Sequence, residues 1–515
     1  MQRPNAVIDL IRRAGVLLHL SSLPGPFGIG DLGPAAEAWI GWLTQAHQTL
    51  WQILPLGPTG FGDSPYQSLS AFAGNPLLIS PERLVEAGLL TRADLDPMPA
   101  ASSRHIEFAQ VIDYKRRVLA RAFERSPSLG RSPWRAHMEA FHEAERYWLD
   151  DFALFTALKA NHAGQPWSEW PRDLALRAPQ ALAGARQRLA HEIDRVVFEQ
   201  MLFRTQWEML RARAREQGIQ IIGDVPLYLA YDSAEVWANP ELFRLDSRGV
   251  PTHVAGVPPD YFSPTGQRWG NPLFRWARHR ADGFAWWQRR VQSALGLSDW
   301  VRIDHFRGLA AYWEVPASSP TAEKGRWVRA PGAALLTALA QHTPRLPLIA
   351  EDLGVLTADV VGLRTRFGLP GMRVLQFAFD GDGRNAFLPH NYEAATVVYT
   401  GTHDNDTTRG WYDGADERVR DFARRYLGRD GSDISWDLMR LAWTSVACMA
   451  LAPLQDVLAL GSEARMNFPG RAEGNWAWRF AEGDLTSVLA ERLGDLTTLA
   501  GRTGAEAARE LPKLY

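Results

Sequence analysis

The sequence of 515 residues contains one cysteine, Cys448. A disulfide framework or a cysteine-based metal cluster needs several cysteines, so both are excluded. Such low cysteine use is typical of proteins from a reducing compartment. No apolar run approaches the ~18 residues that a membrane-spanning helix needs. The sequence therefore predicts a cytoplasmic protein with no membrane partner.

The sequence also lacks a strong excess of either positive or negative charge. The formal net charge is −2 and the isoelectric point is about 6.7, so no strong field attracts nucleic acid or an anionic membrane. Arg12 and Arg13 precede a short apolar run at residues 15–20, as in a signal peptide. That run is too short for a signal sequence and is interrupted by His19, so a first barrel strand is the better interpretation.

The sequence does contain short apolar runs, and helical patterns lie between them. This alternation predicts a parallel α/β fold, and eight such runs are enough to close a (β/α)8 TIM barrel. An open doubly wound sheet is the alternative, but no Gly-x-Gly-x-x-Gly turn follows any run. The eight predicted strands are approximately 15–22, 51–56, 219–229, 300–307, 346–353, 372–379, 395–402 and 450–458.

Two intervals are too long to be simple connections, so we predict one catalytic barrel over residues 1–515 with two insertions. Residues 60–215 are rich in Ala, Arg, Glu and Leu and predict a helical subdomain. Residues 230–290 contain the segment 256–272, whose Pro and Gly content disfavours a helix or a central strand. A loop of this length is usually functional. After about residue 480 too little chain follows for a C-terminal β-sandwich domain.

Four of the apolar runs are followed by, or contain near their ends, a carboxylate: Asp224, Asp304, Glu351 and Asp404. The C-terminal ends of barrel strands are where TIM-barrel enzymes hold their catalytic groups. One acid in such a position can arise by chance, whereas several indicate carboxylates that meet in one cluster. The sequence therefore predicts a carboxylate-based active site.

Arg302 and Asp304 are two residues apart, so on a strand their side chains point to the same side. A neighbouring guanidinium favours the ionised form of Asp304. An ionised carboxylate that is not fully engaged can act as a nucleophile. A purely structural Arg–Asp pair is the alternative interpretation.

Glu351 follows an apolar approach, and both desolvation and a neighbouring anion raise the pKa of a carboxyl group. A raised pKa suits a general acid that works near neutrality. Two carboxylates about 5–5.5 Å apart would form the pair of a retaining glycosidase. A helix cap or a surface ion pair is the alternative role for Glu351.

The segment 402–406 is dense in hydrogen-bonding groups. Asp404 is suited to accept hydrogen bonds from sugar hydroxyls, and His403 is suited to donate one. Metal ligation is the competing interpretation, but a second histidine at helical spacing is missing, so a metal site is disfavoured.

Tryptophan is unusually frequent, with 21 residues against 12 tyrosines. Most of these indoles are expected to pack in the core. Some are suited to stack on the apolar face of a sugar ring. Composition leaves both interpretations open.

Taken in order, the motifs resemble those of the amylomaltases, the 4-α-glucanotransferases of glycoside hydrolase family 77, from about residue 15 to residue 480. The resemblance rests on Leu-Pro-Leu-Gly-Pro-Thr-Gly at 54–60, Gly-Asp-Ser-Pro-Tyr-Gln at 62–67, Gly-Asn-Pro at 74–76, Gly-Asp-Val-Pro at 223–226, the segment 256–272, Arg-Ile-Asp-His-Phe-Arg-Gly at 302–308, Ala-Glu-Asp-Leu-Gly at 350–354 and Gly-Thr-His-Asp-Asn-Asp at 401–406.

The resemblance implies an amylase-like barrel that transfers a segment of α-1,4-glucan to the 4-OH of glucose or another glucan, with retention through a covalent glycosyl-enzyme. It implies Asp304 as the nucleophile, Glu351 as the acid/base and Asp404 as the transition-state stabiliser. It also implies the substrate-binding residues Arg302, Asp224, His403, Tyr66 and Ser64, and, at the donor or acceptor sites, Gln267, Trp269 and Asn475.

No metal or organic cofactor is implied. The expected partners are α-1,4-glucans, maltooligosaccharides and glucose, and the expected state is a monomer or a weak homo-oligomer. An α-amylase-like hydrolase or an isomerase is the alternative function. A non-catalytic glucan-binding barrel is more distant, because such a protein is expected to have lost at least one of the acids.

Overall fold

A computed structural model describes residues 11–99, 104–126, 133–259, 263–354, 357–471 and 473–504. Residues 260–262 of the predicted loop 256–272 lie outside this part of the chain. Among the described residues there are twelve strands: β1 (Arg13–Leu17), β2 (Leu50–Gln52), β3 (Gln220–Val225), β4 (His253–Val257), β5 (Gln267–Pro272), β6 (Trp300–Ile303), β7 (Ala311–Pro316), β8 (Arg326–Arg329), β9 (Leu348–Ala350), β10 (Gly371–Val374), β11 (Thr396–Tyr399) and β12 (Met449–Pro453).

Eight of these strands close into a parallel barrel in the order β1-β12-β11-β10-β9-β6-β3-β2. The predicted (β/α)8 barrel is therefore confirmed. Each predicted run overlaps one barrel strand, although the strands are mostly shorter than the runs. Asp304 and Glu351 directly follow β6 and β9, whereas Asp224 lies inside β3 rather than after it.

The barrel is filled by a separate cluster of large apolar side chains. The cluster takes members from seven of the eight barrel strands, which is the packing expected of a closed TIM barrel. Its buried members include Leu17, Leu50, Ile222, Ile349, Met372, Val397, Tyr399 and Leu451. A packed interior leaves the strand ends as the place where polar side chains converge.

Helices surround the barrel and form the long connections. Within the fully described segment 375–395, β10 and β11 are joined without an α-helix, by two short 3-10 turns. The described residues contain the α-helices α1 (Pro34–Gln45), α2 (Pro81–Glu86), α3 (Phe108–Arg125), α4 (Pro133–Asn161), α5 (Arg172–Ala175), α6 (Pro179–Arg188), α7 (Ala190–Glu216), α8 (Ala234–Ala238), α9 (Trp276–Ala281), α10 (Ala285–Leu297), α11 (Gly332–His342), α12 (Ala358–Arg366), α13 (Thr408–Gly414), α14 (Glu417–Leu427), α15 (Ile434–Thr444), α16 (Leu454–Val457) and α17 (Ser487–Leu499).

Local sequence explains where several helices begin. Proline occupies the first position of α1 and α6, where its missing N–H costs no helical hydrogen bond. The side chains of Asp416 and Thr486 accept hydrogen bonds from the first turns of α14 and α17. Such caps satisfy backbone donors that a helix cannot satisfy internally.

The segment 60–215 contains helices α2 to α7. A buried ion pair joins α3 to the loop after β1. The Nζ atom of Lys115 lies 3.0 Å from Oδ2 of Asp31 and donates a 2.6 Å hydrogen bond to the carbonyl of Ile79. The side chain of Lys115 is 1% exposed, so this ammonium depends entirely on protein partners.

A second sheet covers one side of the barrel mouth. It is antiparallel, in the order β5-β4-β7-β8. The segment 256–272, expected to lack central strand structure, contributes the end of β4 and all of β5. Pro272 is accommodated because β5 is an edge strand. The sheet also takes β7 and β8 from residues 311–329, beyond the interval 230–290.

None of the helices in the described ranges combines the length and apolar character needed to cross a membrane.

We expect the substitution Lys115→Met to destabilise the protein by about 3 kcal/mol or more, because it leaves the Asp31 carboxylate buried without its partner. Denaturant unfolding measures this directly. Arg116→Met is the matched control, since the Arg116 side chain is 67% exposed and a surface change is expected to stay within about 0.5 kcal/mol. Equal unfolding midpoints for the two variants would contradict the assignment.

Candidate active site

A cleft of about 330 Å³ opens at the C-terminal end of the barrel. Loops that follow β2, β3, β6 and β11 form its walls together with β5 and residues 467–471 and 475–476. The walls carry both polar and aromatic side chains. Its lining includes Ser64, Tyr66, Tyr228, Gln267, Trp269, Asp304, His305, His403, Asp404, Asn467, Asn475 and Trp476.

The guanidinium of Arg302 connects two carboxylates at the base of the cleft. Its Nη1 atom lies 2.6 Å from Oδ2 of Asp224, and its Nη2 atom lies 2.9 Å from Oδ1 of Asp304. The Tyr66 hydroxyl donates a 2.6 Å hydrogen bond to Asp224. The side chains of Arg302 and Asp224 are 4% and 0% exposed, whereas that of Asp304 is 29% exposed.

The two carboxylates differ in exposure and therefore in role. Asp224 satisfies the buried charge of Arg302, which would otherwise be costly. Asp304 is held by one nitrogen of the same guanidinium and still reaches the cleft. The ion pair with Arg302 therefore does not occupy the whole Asp304 carboxylate, which is available to a substrate atom.

Glu351 is held beside Asp304 by backbone groups. The N–H of His305, the residue after Asp304, donates a 2.6 Å hydrogen bond to Oε2 of Glu351, and the N–H of Leu353 donates one of 3.2 Å to Oε1. His305 has a φ of 51°, a left-handed conformation that non-glycine residues adopt rarely. The sharp turn after β6 therefore directs this N–H at Glu351 and keeps its carboxyl group next to the residue that follows Asp304.

Burial, helped by the negative charge of Asp304, outweighs the charge of Arg302 and the two backbone donors and raises the pKa of Glu351 to about 7. A carboxyl group with this pKa is partly protonated at neutral pH. It can therefore donate a proton and, after a change in its surroundings, accept one.

Asp404 is fixed from two directions. Nδ2 of Asn467 donates a 2.6 Å hydrogen bond to its Oδ1 atom, and Nε2 of His403 lies 3.3 Å from its Oδ2 atom. Burial acts to raise the pKa of Asp404, but His403, Asn467 and Arg302 outweigh burial and hold the pKa well below its ordinary value. Asp404 is consequently a permanent anion whose side chain is 47% exposed to the cleft.

Aromatic rings support the same region. Tyr66 stacks on His403 with ring centroids 5.0 Å apart, and Trp476 lies 5.7 Å from Tyr66. Burial lowers the pKa of His403, but Asp404 outweighs burial and raises it above the usual value. The histidine is thus held as a donor between an anion and an aromatic face.

Gln267 and Trp269 project from the edge strand β5 on the opposite side of the cleft. Nε1 of Trp269 donates a 3.1 Å hydrogen bond to Oε1 of Gln267. The Trp269 ring meets the ring of His305 edge-on, with centroids 4.8 Å apart. An indole that lines the cleft and is supported by neighbouring side chains is suited to stack on a sugar.

Ser64 and Asn475 line the cleft but make local contacts. The Ser64 hydroxyl accepts a 3.2 Å hydrogen bond from the N–H of Tyr66. Asn475 accepts from the N–H of Phe468 at 2.8 Å and donates to the carbonyl of Arg471 at 2.9 Å. Both amide atoms of Asn475 therefore support the loop that carries Asn467.

Of the eleven residues singled out from the sequence, eight line the cleft: Ser64, Tyr66, Gln267, Trp269, Asp304, His403, Asp404 and Asn475. The other three lie directly behind it: Arg302 bonds to Asp304 and Asp224, and Glu351 accepts from the N–H of His305. Sequence reasoning missed Asn467 and His305. Asn467 does not follow a strand, so a search for polar residues at the ends of predicted strands could not find it. His305 adjoins Asp304, but its left-handed backbone is not visible in the sequence.

The described residues contain no group of three His, Cys, Asp or Glu side chains arranged to hold a metal ion.

Comparison with known proteins identifies close relatives. The sequence profile of glycoside hydrolase family 77, described as 4-alpha-glucanotransferase, matches residues 18–486. The 4-alpha-glucanotransferase of Thermus thermophilus is 52% identical over 494 residues, which cover 94% of this chain and 98% of the relative. That of Synechocystis sp. is 48% identical over 495 residues, with 95% and 98% coverage.

Among solved structures, the amylomaltase from Streptococcus agalactiae in complex with acarbose is similar, with a TM-score of 0.93 at 38% identity. The match covers 95% of this chain and 99% of that chain.

We expect the infrared carbonyl band of protonated Glu351 to disappear with a midpoint near pH 7. Burial also raises the pKa of Glu199, on α7, to about 7, so the band must be taken from the difference between wild type and Glu351→Gln. Asp304→Asn removes the neighbouring negative charge and should move the midpoint to lower pH. An unchanged midpoint would show that Asp304 does not influence Glu351.

Proposed function

The chain belongs to the 4-alpha-glucanotransferases of glycoside hydrolase family 77, and from that premise we propose a double displacement in which Asp304 and Glu351 carry the bond changes. The resemblance noted from the sequence motifs is confirmed by this membership. The proposal is supported above all by one arrangement: Glu351 is bonded to the backbone N–H of the residue after Asp304.

In the first step, protonated Glu351 donates its proton to the glycosidic oxygen while Asp304 attacks the anomeric carbon. The C–O bond to the leaving glucan breaks, and a glycosyl ester forms on Asp304 with inversion. The raised pKa of Glu351 supports its role as acid. The guanidinium of Arg302 holds Asp304 by a hydrogen bond and orients it at the edge of the cleft.

Asp404 acts on the same sugar without forming a covalent bond. Positive charge develops on the ring as the glycosidic bond breaks, and a fixed anion stabilises it. Held by Asn467 and His403, Asp404 needs no rearrangement to do so. Tyr66, Asp224 and Arg302 form the wall around this ring, with His403 as a hydrogen-bond donor.

In the second step, Glu351 removes the proton from the 4-OH of an acceptor sugar, which attacks the ester and restores Asp304. Two inversions retain the α configuration. Esterification of Asp304 removes the charge that raises the pKa of Glu351. The pKa of Glu351 therefore falls when its role changes from acid to base.

Transfer competes with hydrolysis at this second step. We expect Trp269 and Gln267, with the described residues of the segment 256–272, to hold an acceptor sugar and to exclude water from the ester. Positioning the acceptor and excluding water both favour transfer. The proposed substrates are α-1,4-glucans and maltooligosaccharides, with glucose or another glucan as acceptor. A cytoplasmic location and a monomeric or weakly oligomeric state stay predictions from the sequence.

On maltotriose, we expect wild type to form longer maltodextrins together with glucose. Asp304→Asn should reduce turnover by several orders of magnitude without loss of folding, because the covalent intermediate cannot form. Chromatography of the products measures both results. Glucose and maltose without any longer chains would mean that the protein is the alternative, an α-amylase-like hydrolase.

Glu351→Gln should reduce maltotriose turnover about 10²–10⁴-fold, because the leaving oxygen is no longer protonated. α-Maltosyl fluoride provides the sharper test, since fluoride leaves without a proton. The first-turnover release of fluoride should stay close to wild type in Glu351→Gln and be lost in Asp304→Asn. Loss of the fluoride burst in Glu351→Gln as well would argue against Glu351 as the acid.

A further inference from the structure

A small cavity of about 20 Å³ lies behind His403, on the side away from the substrate cleft. It is enclosed by the ends of β1 and β12 and by the loop after β11. His19, at the C-terminal end of β1, faces the same cavity. Both imidazoles are buried, with 6% and 4% of their surfaces exposed.

The two histidines share an unusual feature. The Nδ1 atom of each ring is buried and has no hydrogen-bond partner among the described residues. Several other polar side chains around the cavity are engaged elsewhere: Ser22 donates to the Trp478 carbonyl, Thr402 to Asn405, and Gln455 to the Ala464 carbonyl. The two charged ones are also engaged, since Asp406 accepts from Ser462 and Arg465 donates to the carbonyls of Asp404 and Asn467. A buried polar atom without a partner is costly, so two on one cavity require an explanation.

The protonation states of the two rings allow one to donate a hydrogen bond and the other to accept one. Burial, and then the charge of His403, lower the pKa of His19 to about 3, so His19 is neutral. Asp404 outweighs burial at His403 and raises its pKa. A protonated His403 offers Nδ1–H as a donor, while neutral His19 with its proton on Nε2 offers Nδ1 as an acceptor.

We propose that this cavity is a hydration site and that His19, through one water molecule, is a positioning residue for His403. The cavity volume is sufficient for one water. Nδ1–H of His403 donates to the water, and the water donates to Nδ1 of His19. Both buried nitrogens are then satisfied, and no proton is transferred. The inference rests on the role proposed above for His403 beside the reacting sugar.

This bridge completes the support of the His403 ring. Its Nε2 edge faces Asp404, and one face stacks on Tyr66. The remaining nitrogen is fixed through the water to the first barrel strand. The bridge therefore keeps His403 aligned with Asp404 as charge develops on the sugar.

The variants His19→Leu and His19→Gln test the proposal in the full-length protein. His19→Leu removes the acceptor, and we expect kcat on maltotriose to fall about tenfold or more with little change in KM, by analogy with the partners that orient metal-bound histidines. Its thermal midpoint should change little, because leucine is close to histidine in volume and only one water-mediated hydrogen bond is lost. His19→Gln retains an acceptor and should restore most of the kcat.

Ser22→Ala is the matched control, since Ser22 lines the same cavity but bonds to the Trp478 carbonyl. Its kcat should equal that of wild type. A purely structural role for His19 predicts that kcat and the thermal midpoint fall together in His19→Leu and that His19→Gln gives no rescue. Either result would overturn the proposal.

A double-mutant cycle with His403→Gln separates this inference from the proposed function. If His19 acts through His403, His19→Leu should cause little further loss of kcat in the His403→Gln background. Suppose that His403→Gln lowers kcat, and that His19→Leu lowers kcat by the same factor in both backgrounds. The two residues are then not coupled, so this inference is wrong while the proposed role of His403 stands. If His403→Gln leaves kcat unchanged, the proposed role of His403 fails first.

Discussion

The active site depends on one buried guanidinium. Arg302 is almost fully buried and is satisfied by Asp224, so its charge cannot be removed or moved without cost. The same group holds Asp304 at the edge of the cleft. A residue that is fixed by the barrel interior thereby fixes the orientation of the carboxylate proposed to attack the substrate.

The remaining groups are arranged around that fixed point. The left-handed turn at His305 directs a backbone N–H at Glu351, which places the second carboxyl beside the first. The two carboxyls then acquire different proton affinities, because burial and the charge of Asp304 raise the pKa of Glu351 to about 7. Asp404, with its own partners Asn467 and His403, stays ionised. Three acids of similar chemistry thus have three different surroundings, which suit them to the three roles proposed.

The sequence was sufficient to predict the barrel and most of the cleft, because both follow from local pattern. Apolar runs locate buried strands, and the carboxylates Asp304 and Glu351 directly follow two of them. The pairing of Arg302 with Asp304 follows from the two-residue period of a strand. The second sheet was not predicted, since β5 is an edge strand that contains Gly and Pro, and β7 and β8 lie outside the assigned insertion. Asn467 and the cavity beside His19 depend on contacts between distant segments, which a single sequence does not reveal.

The most direct test of the account is the identity of the covalently modified residue. A slow fluorinated α-glucosyl fluoride should trap the ester, and mass spectrometry of the tryptic digest should find the sugar on the peptide 303–307, in which Asp304 is the sole carboxyl side chain. Trapping on that peptide is the predicted result. Trapping on a peptide that contains Glu351 or Asp404 instead would contradict the assignment of Asp304 as the nucleophile.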